Sequence, residues 1–422
     1  MGAEPRGRIE SRVGSVRRLH CPSPDDRIAD CALNACPGDS VGGICPQPSW
    51  TGRAVLVVSH GGQMSTGRPR KAVWVLGALI FAAAPAGSAA ATPTCDGKVA
   101  TIIVTQENVE TFGTLGDDVI VGTLGRDDII GGGGHDTICG RGGDDHIFGD
   151  QTDGPDGSGA FDALFGGSGD DYIEGDDAAD RIEGGDGNDH LVGNTTSSDA
   201  APPASDRLLG GTGDDSLFGD ASTDTLYGGS GNDVLRGLAG DDRLYGQDGA
   251  DELIGDANSD GTTPLLDGAA DRLSGGAGDD LLFGDGGDDT LIAGTETDVL
   301  TGGAGRDVAD YSTRTAALKL SIGDGANDGE AGERDNLRGD VESLKGGSGD
   351  DAVFGNDRQN WLYGRGGNDR VAGGGSSDVL SGDEGDDQLD SADGVFDQVR
   401  CGAGVDVIRF DALDAIAGSC ET

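Results

Sequence analysis

GTLGDDVIV, GTLGRDDII, GGGGHDTIC and GRGGDDHIF follow one another without a break from Gly113 to Phe148. Asp118, Asp127, Asp136 and Asp145 hold the sixth place of each unit, and Ile120, Ile129, Ile138 and Ile147 hold the eighth. The first six places are rich in glycine, which adopts positive φ in a tight turn where a Cβ would clash. The last three places read as extended chain with the central side chain pointing inward. One short strand per nine residues gives two strands per eighteen-residue coil. The expected fold is therefore all-β, a right-handed parallel β-roll around a thin column of Ile, Leu and Val.

The same unit, G-G-x-G-x-D-x-U-x with U apolar, continues down the chain. Good copies are GGSGDDYIE at 166, GGDGNDHLV at 184, GGTGDDSLF at 210, GGSGNDVLR at 228 and GGAGDDLLF at 275. Three units are over-long, starting at Gly149, Gly193 and Gly255. Each still ends in the expected pair: Asp162 and Leu164, Asp206 and Leu208, Asp271 and Leu273. They read as turns carrying insertions. All three are odd-numbered units, and successive units occupy alternate edges of a roll, so the insertions are expected on one edge. The fourth-place glycine is also lost mainly there, at Ala160, Ala178, Ala204, Ser222 and Ala269. Five odd units open with Gly-Asp or Gly-Asn, at Asp150, Asp176, Asn194, Asp220 and Asp256. The even edge is expected to be a regular ladder and the odd edge a looser variant.

Composition supports a solenoid and excludes other classes. Gly accounts for 81 of 422 residues and aromatics for 4%, too few bulky side chains for a globular core of this length. A formal net charge of −48 normally accompanies disorder, but disorder needs no fixed period. It also argues against nucleic acid, which needs a basic patch. The natural partner of this chain is a cation. The sixth-place Asp offers a hard carboxylate oxygen and the turn offers carbonyls, the donor set calcium takes.

The candidate metal ligands are Asp118, Asp127, Asp136, Asp145, Asp162, Asp171, Asp180, Asp189, Asp206, Asp215, Asp224, Asp233, Asp242, Asp251, Asp271, Asp280, Asp289, Asp298 and Asp307 in a first block, residues 113–310. Asp351, Asp369, Asp378, Asp387, Asp397 and Asp406 follow in a second block, residues 346–422 with its C-terminal cap. Asn360 stands where a further Asp is expected, so its site should be weaker. Residues 311–345 between the blocks form a spacer, in which TAALKLSI, residues 315–322, reads as one longer strand. The acidic stretch Asp324 to Asp335 reads as a loop that holds another cation.

On these residues the chain resembles the RTX-type, or haemolysin-type, calcium-binding repeat family, over about 113–309 and 346–409. The stretches TCDGKVATIIV at 94 and DGVFDQVRCGAGVDVI at 393 are similar to those of secreted members without a catalytic domain. The resemblance implies several Ca2+ ions held between turns of successive coils, by the Asp of one turn and its neighbour two units on.

Ahead of the repeats, KAVWVLGALIFAAAPAGSAAA at 71–91 follows Arg68 and Arg70. A basic start, a short apolar run and small residues near Ala89 have the form of a secretory signal peptide, placed at 64–91. The apolar run is shorter than the ~20 residues of a spanning helix. Met64 immediately precedes it, so translation is expected to start there, with residues 1–63 a mis-assigned extension. The protein is then secreted and extracellular, with no stable membrane span after cleavage and a monomeric state expected. Residues 92–112 form an N-terminal cap. Cys21, Cys31, Cys36 and Cys45 have no metal-ligand spacing and are given no role. Cys95, Cys139, Cys401 and Cys420 remain. Three pairings are possible. Cys95–Cys139 and Cys401–Cys420 are favoured because each brackets one end of the array, where a solenoid needs a cap.

Past Thr92 the histidines are His135, His146 and His190, all inside repeats, and in that part of the chain neither H-E-x-x-H nor G-x-S-x-G occurs. No catalytic activity is expected. The ninth place often carries a large side chain, as at Phe148, Phe165, Phe218, Tyr227, Tyr245, Ile254 and Phe283. Packing along the sheet explains these; a strip that binds sugar or protein is the alternative. The expected function is a secreted calcium-binding protein whose repeats fold on Ca2+. The alternative is a calcium-dependent adhesin or matrix component that meets a cell-surface or glycan partner through the insertion loops.

Overall fold

In the computed structural model, residues 92–150, 160–194, 204–256, 268–323, 325–418 and 420–421 are described. Residues 1–63 and 64–91, expected from the sequence to be an extension and a leader, and the insertion segments 151–159, 195–203 and 257–267 lie outside them. Among the described residues there is no helix, and none long and apolar enough to cross a membrane.

Successive strands alternate between stacked parallel sheets. One sheet of sixteen strands runs from Ile102–Ile103 to Ala415–Ala417 and so passes through both blocks. Opposite it lies first a sheet of eleven strands, Glu110–Phe112 to Asn336–Leu337. A seven-stranded sheet then takes over, whose strands from Leu318–Ser321 to Cys420–Glu421 pair in parallel. This is the parallel β-roll that the nine-residue period predicts.

The eighth-place residues form the core. In the sixteen-stranded sheet Ile182, Leu208, Leu226 and Leu244 stand in register, and all are fully buried. The opposite sheet answers with Ile173, Leu191, Leu217 and Leu235, also fully buried. Every coil repeats the same two contacts, so each aliphatic residue is held by neighbours above, below and across. Leu226→Ala should cost about 2–5 kcal/mol, read as a fall in melting temperature in saturating calcium. A change within error would place Leu226 outside the core.

The strands are longer than the three residues the sequence pattern predicts. Many hold six, such as Arg207–Thr212 and Thr225–Ser230. They continue into the glycine pair of the next unit, where Gly211 pairs with Gly229. First-place glycines such as Gly210 and Gly228 are buried on the core side. A Cβ on Gly228 would run into the Asp233 carboxylate. The first-place glycine is therefore a packing requirement as much as a turn residue.

The three insertions share one edge. They join His146–Asp150 to Ala163–Ser168, His190–Val192 to Arg207–Thr212, and Glu252–Asp256 to Arg272–Ala277. In each case the chain passes from the eleven-stranded to the sixteen-stranded sheet. The described necks are held by the second-place carboxylates: Ala160 N–H donates to Asp150 and Ala269 N–H to Asp256.

Residues 311–345 supply one strand to each of the three parallel stacks. Leu318–Ser321 begins the seven-stranded stack beside Ala352–Phe354, Asn336–Leu337 ends the eleven-stranded sheet, and Ser343–Lys345 continues the sixteen-stranded one. Leu320, Leu337 and Leu344 are fully buried in the same core. The strand within TAALKLSI is Leu318–Ser321.

Both ends carry disulfides, Cys95–Cys139 and Cys401–Cys420. The first ties the hairpin of Thr94–Cys95 and Lys98–Val99 to the strand Thr137–Cys139. Closing a separation of 44 residues restricts the unfolded chain by about 4 kcal/mol. Replacing Cys95 and Cys139 together with Ser should therefore lower stability by a few kcal/mol in calcium. Calcium-loaded melting curves that coincide with and without the bridge would contradict this.

Ninth-place side chains pack along the sheet surface. The Tyr227 and Tyr245 rings stack at 4.8 Å, and Arg181 lies over Phe165 at 4.9 Å. Seventh-place rings join them in a row of His146, Tyr172 and His190, with Phe218 against His190 at 5.1 Å.

Candidate metal centre

Each turn lifts its sixth-place carboxylate into the space between its own coil and the coil before. All twenty-five candidate aspartates are buried, Asp118 being the most exposed at 7%. One oxygen, Oδ1, accepts the backbone N–H of the sixth-place residue one coil earlier. Asp118 N–H donates to Asp136, Asp127 to Asp145, and Asp171 to Asp189, at 2.7–2.9 Å. The bond is unchanged where an insertion intervenes: Asp136 N–H reaches Asp162, and Asp242 N–H reaches Asp271, both at 2.7 Å. Two carboxylate ladders result, one on each edge.

The second oxygen, Oδ2, is the chemically active one. In twenty of these aspartates it is buried and accepts no hydrogen bond; Asp136, Asp171, Asp215, Asp280 and Asp387 are examples. A buried polar atom without a partner is costly, and twenty on one motif call for a ligand. Carbonyl oxygens crowd the same space. A Cβ on Gly210 would meet both Asp215 Oδ2 and the Gly228 carbonyl oxygen, and one on Gly166 both Asp171 Oδ2 and the Gly184 carbonyl oxygen. Anionic and carbonyl oxygens converging in a dry turn fit calcium, a hard cation that takes oxygen ligands.

The turns keep the electrostatic cost in view. Burial pushes the carboxyl groups of Asp162 and Asp171 up to about 8, with neighbouring aspartate charges adding to it. Asp271 rises to about 9, again chiefly through burial, and the Asp242 and Asp256 charges reinforce it. Asp136 and Asp280 are raised to about 7 for the same reason. Without a cation these groups hold protons that an aspartate in water releases.

Three features were not read from the sequence. First, Asp335 and Glu342 continue the two ladders through residues 311–345, accepting from Asp298 N–H at 3.1 Å and Asp307 N–H at 3.0 Å. The signal was present: in each case an acid stands two places before a buried leucine, Leu337 or Leu344. Second, fifth-place Asp and Asn form an outer ladder, with Asn188 N–H donating to Asp170, Asp214 to Asn188 and Asn232 to Asp214 at 2.7–2.8 Å. It is continuous from Asp144 to Ala250 on the edge without insertions and interrupted on the other, where His135 N–H donates to Asp117, Ala270 N–H to Asp241 and Arg306 N–H to Asp288. Third, Asp206, Asp220 and Asp224 bring ligand atoms within 4.8 Å of one another. There the Asp220 N–H already donates to Asp224 Oδ2, and Asp206 N–H and the Ser222 hydroxyl to Asp224 Oδ1.

A stack of eighteen-residue coils, each of two nine-residue units, with hard oxygen donors between them defines a cation-binding β-solenoid. The model of the RTX calcium-binding nonapeptide repeat matches residues 112–147, 156–194, 203–235, 227–261, 267–300, 283–310, 345–380 and 363–395, more than half of the chain, and the chain belongs to that family. A search of curated proteins returned no match.

Proposed function

We propose that this protein is a secreted calcium-binding protein whose repeats complete their fold on binding many Ca2+ ions. The observation that carries this reading is the series of buried Oδ2 atoms without partners along both edges. Calcium supplies the positive charge that lets neighbouring carboxylates stay ionised and close. The protein's part is to aim those oxygens, through Oδ1 bonds from the coil before and glycines that leave room. Calorimetric titration of the metal-free chain should show uptake of many ions with a parallel rise in β-structure signal. No heat and no spectral change up to millimolar calcium would end the reading. Secretion rests on the leader-like stretch at 64–91, and the N-terminus of the exported protein, read by mass spectrometry, should fall near Thr92.

A second reading, a calcium-dependent adhesin or surface component, is favoured by one observation: the three insertions leave the roll on the same edge. Calcium-dependent attachment to cells or glycans that is lost on shortening 151–159, 195–203 and 257–267 would select it. Attachment that survives the trimming would reject it.

A further inference from the structure

The bare and the satisfied carboxylates follow a rule in the backbone of the turn. At seventeen turns the second-place residue has positive φ, as at Gly167, Gly185, Gly229, Arg141, Leu238 and Gln247. In all of these the sixth-place Oδ2 has no partner. The turns with insertions, ending at Asp162, Asp206 and Asp271, leave it bare too. The remaining regular turns have Thr114, Thr123, Asp220, Gly347 or Asn356 at second place, none with positive φ. In each of these the second-place N–H swings inward and donates to the sixth-place side chain, Asp118, Asp127, Asp224, Asp351 or Asn360. Asp397, which stands nineteen instead of eighteen residues after its ladder partner Asp378, falls in neither group.

The closed turns have little left to offer a cation. Both oxygens of Asp118 accept, from the Thr101 hydroxyl and the Thr114 N–H. Both oxygens of Asp351 accept, from the Leu318 and Gly347 N–H groups. Asp224 is likewise satisfied on both sides, and its nearness to Asp220 follows from the closing bond itself. Asp127 keeps a bare Oδ1 and stands apart. The one sixth place with a neutral side chain, Asn360, is a closed turn, where its Oδ1 takes the Asn356 N–H at 2.8 Å and its amide donates to the Glu342 carbonyl. An amide suffices where an N–H, not a cation, is the partner.

Resting on the calcium reading above, we infer that the turns at Asp118, Asp224, Asp351 and Asn360 contribute no side chain to an ion, and that a backbone N–H takes the place calcium has elsewhere. Asp224 lies inside the first block, but the position of the other three turns gives the device a purpose. Asp118 opens the first block and Asp351 with Asn360 opens the second, so each block begins on turns that close without metal. Those turns offer a formed edge to which calcium-dependent coils add, and beside Asp118 the Cys95–Cys139 bridge secures that edge.

The test counts ions on the full chain by native mass spectrometry at saturating calcium. Asp118→Asn should bind as many ions as the wild type, its amide oxygen keeping the Thr114 N–H and its NH2 facing the Thr101 hydroxyl. Asp171→Asn, at a turn with bare Oδ2, should bind at least one fewer. Loss of an ion in Asp118→Asn would overturn the inference while leaving the calcium reading intact. A wild type that takes up no calcium would overturn that reading and this inference with it. Should Asp171→Asn fail to fold, Asp118→Asn against the wild type decides: an equal count supports the inference, a lower one overturns it.

Discussion

In excess chelator above about pH 9, where most ladder carboxylates are ionised, the chain should lose most of its β-structure signal, and millimolar calcium should restore it. The reason is the number of like charges that one architecture holds together. Two carboxylates ~4 Å apart repel by about 1 kcal/mol even in bulk water, and by more when partly dried. Here twenty carry a buried oxygen to which no protein group donates. A domain's whole net stability is about 5–15 kcal/mol, so a repulsion repeated along two edges is enough to open it. A filled site works the other way. At ten times its dissociation constant calcium adds roughly 1.4 kcal/mol per site, and a handful of sites then outweighs a typical net stability. Circular dichroism in the far ultraviolet checks this. The same folded spectrum in chelator and in calcium would show that the aliphatic column suffices without metal.

The second expectation concerns protons in place of metal. In chelator, lowering the pH from 8.5 to 5 should recover a large part of the β signal. The sixth-place carboxyl groups sit at about 8 at Asp162 and Asp171 and about 9 at Asp271, raised first by burial and then by their aspartate neighbours. Others, such as Asp233 and Asp251, are raised to about 6. An unfolded Asp ionises near pH ~3.9. A group with the higher value in the fold binds its proton more tightly there, so protonation favours the fold. That contribution is complete below about pH 4 and is lost as the pH rises through about 6 to 9. With calcium present the sense reverses, since the ion displaces these protons and its affinity falls as the solution is acidified. Dichroism in chelator at the two pH values reads the first effect. Titration in buffers of different ionisation enthalpy reads the released protons. A metal-free chain equally unfolded at both would contradict the argument.

Much of this was legible in a one-dimensional pattern because the fold is itself nearly one-dimensional. Each coil meets mainly the coil above and the coil below, so a period in the sequence is a contact in space. Ile120 and Ile138 lie eighteen apart and are neighbours in a sheet. Insertions do not disturb this, because the turn absorbs them and Leu164 still falls beside Ile138. Residues 311–345 were less legible, since Asp335 and Glu342 keep their ladder positions without the glycines that mark a turn elsewhere. The fifth-place ladder escaped notice because Asp and Asn at that place read as ordinary turn residues.

From the sequence alone came the period, the aliphatic column, the two carboxylate ladders, the shared edge of the insertions and the two cysteine pairs. All but the cysteine pairs follow from residue type at a fixed interval; those pairs were favoured among three possible pairings because each brackets one end of the array. What the tertiary structure decided is which carboxylates remain bare. That depends on the direction of one backbone N–H, and so on φ at the second place. Residue type does not announce it: Arg141, Leu238 and Gln247 take the left-handed turn, while Gly347 does not. Close packing of the coils does not announce it either: a Cβ on Gly229 would meet the Gly211 carbonyl oxygen and one on Gly347 that of Arg314, yet only the first takes the left-handed turn, so the direction is a property of the whole folded turn.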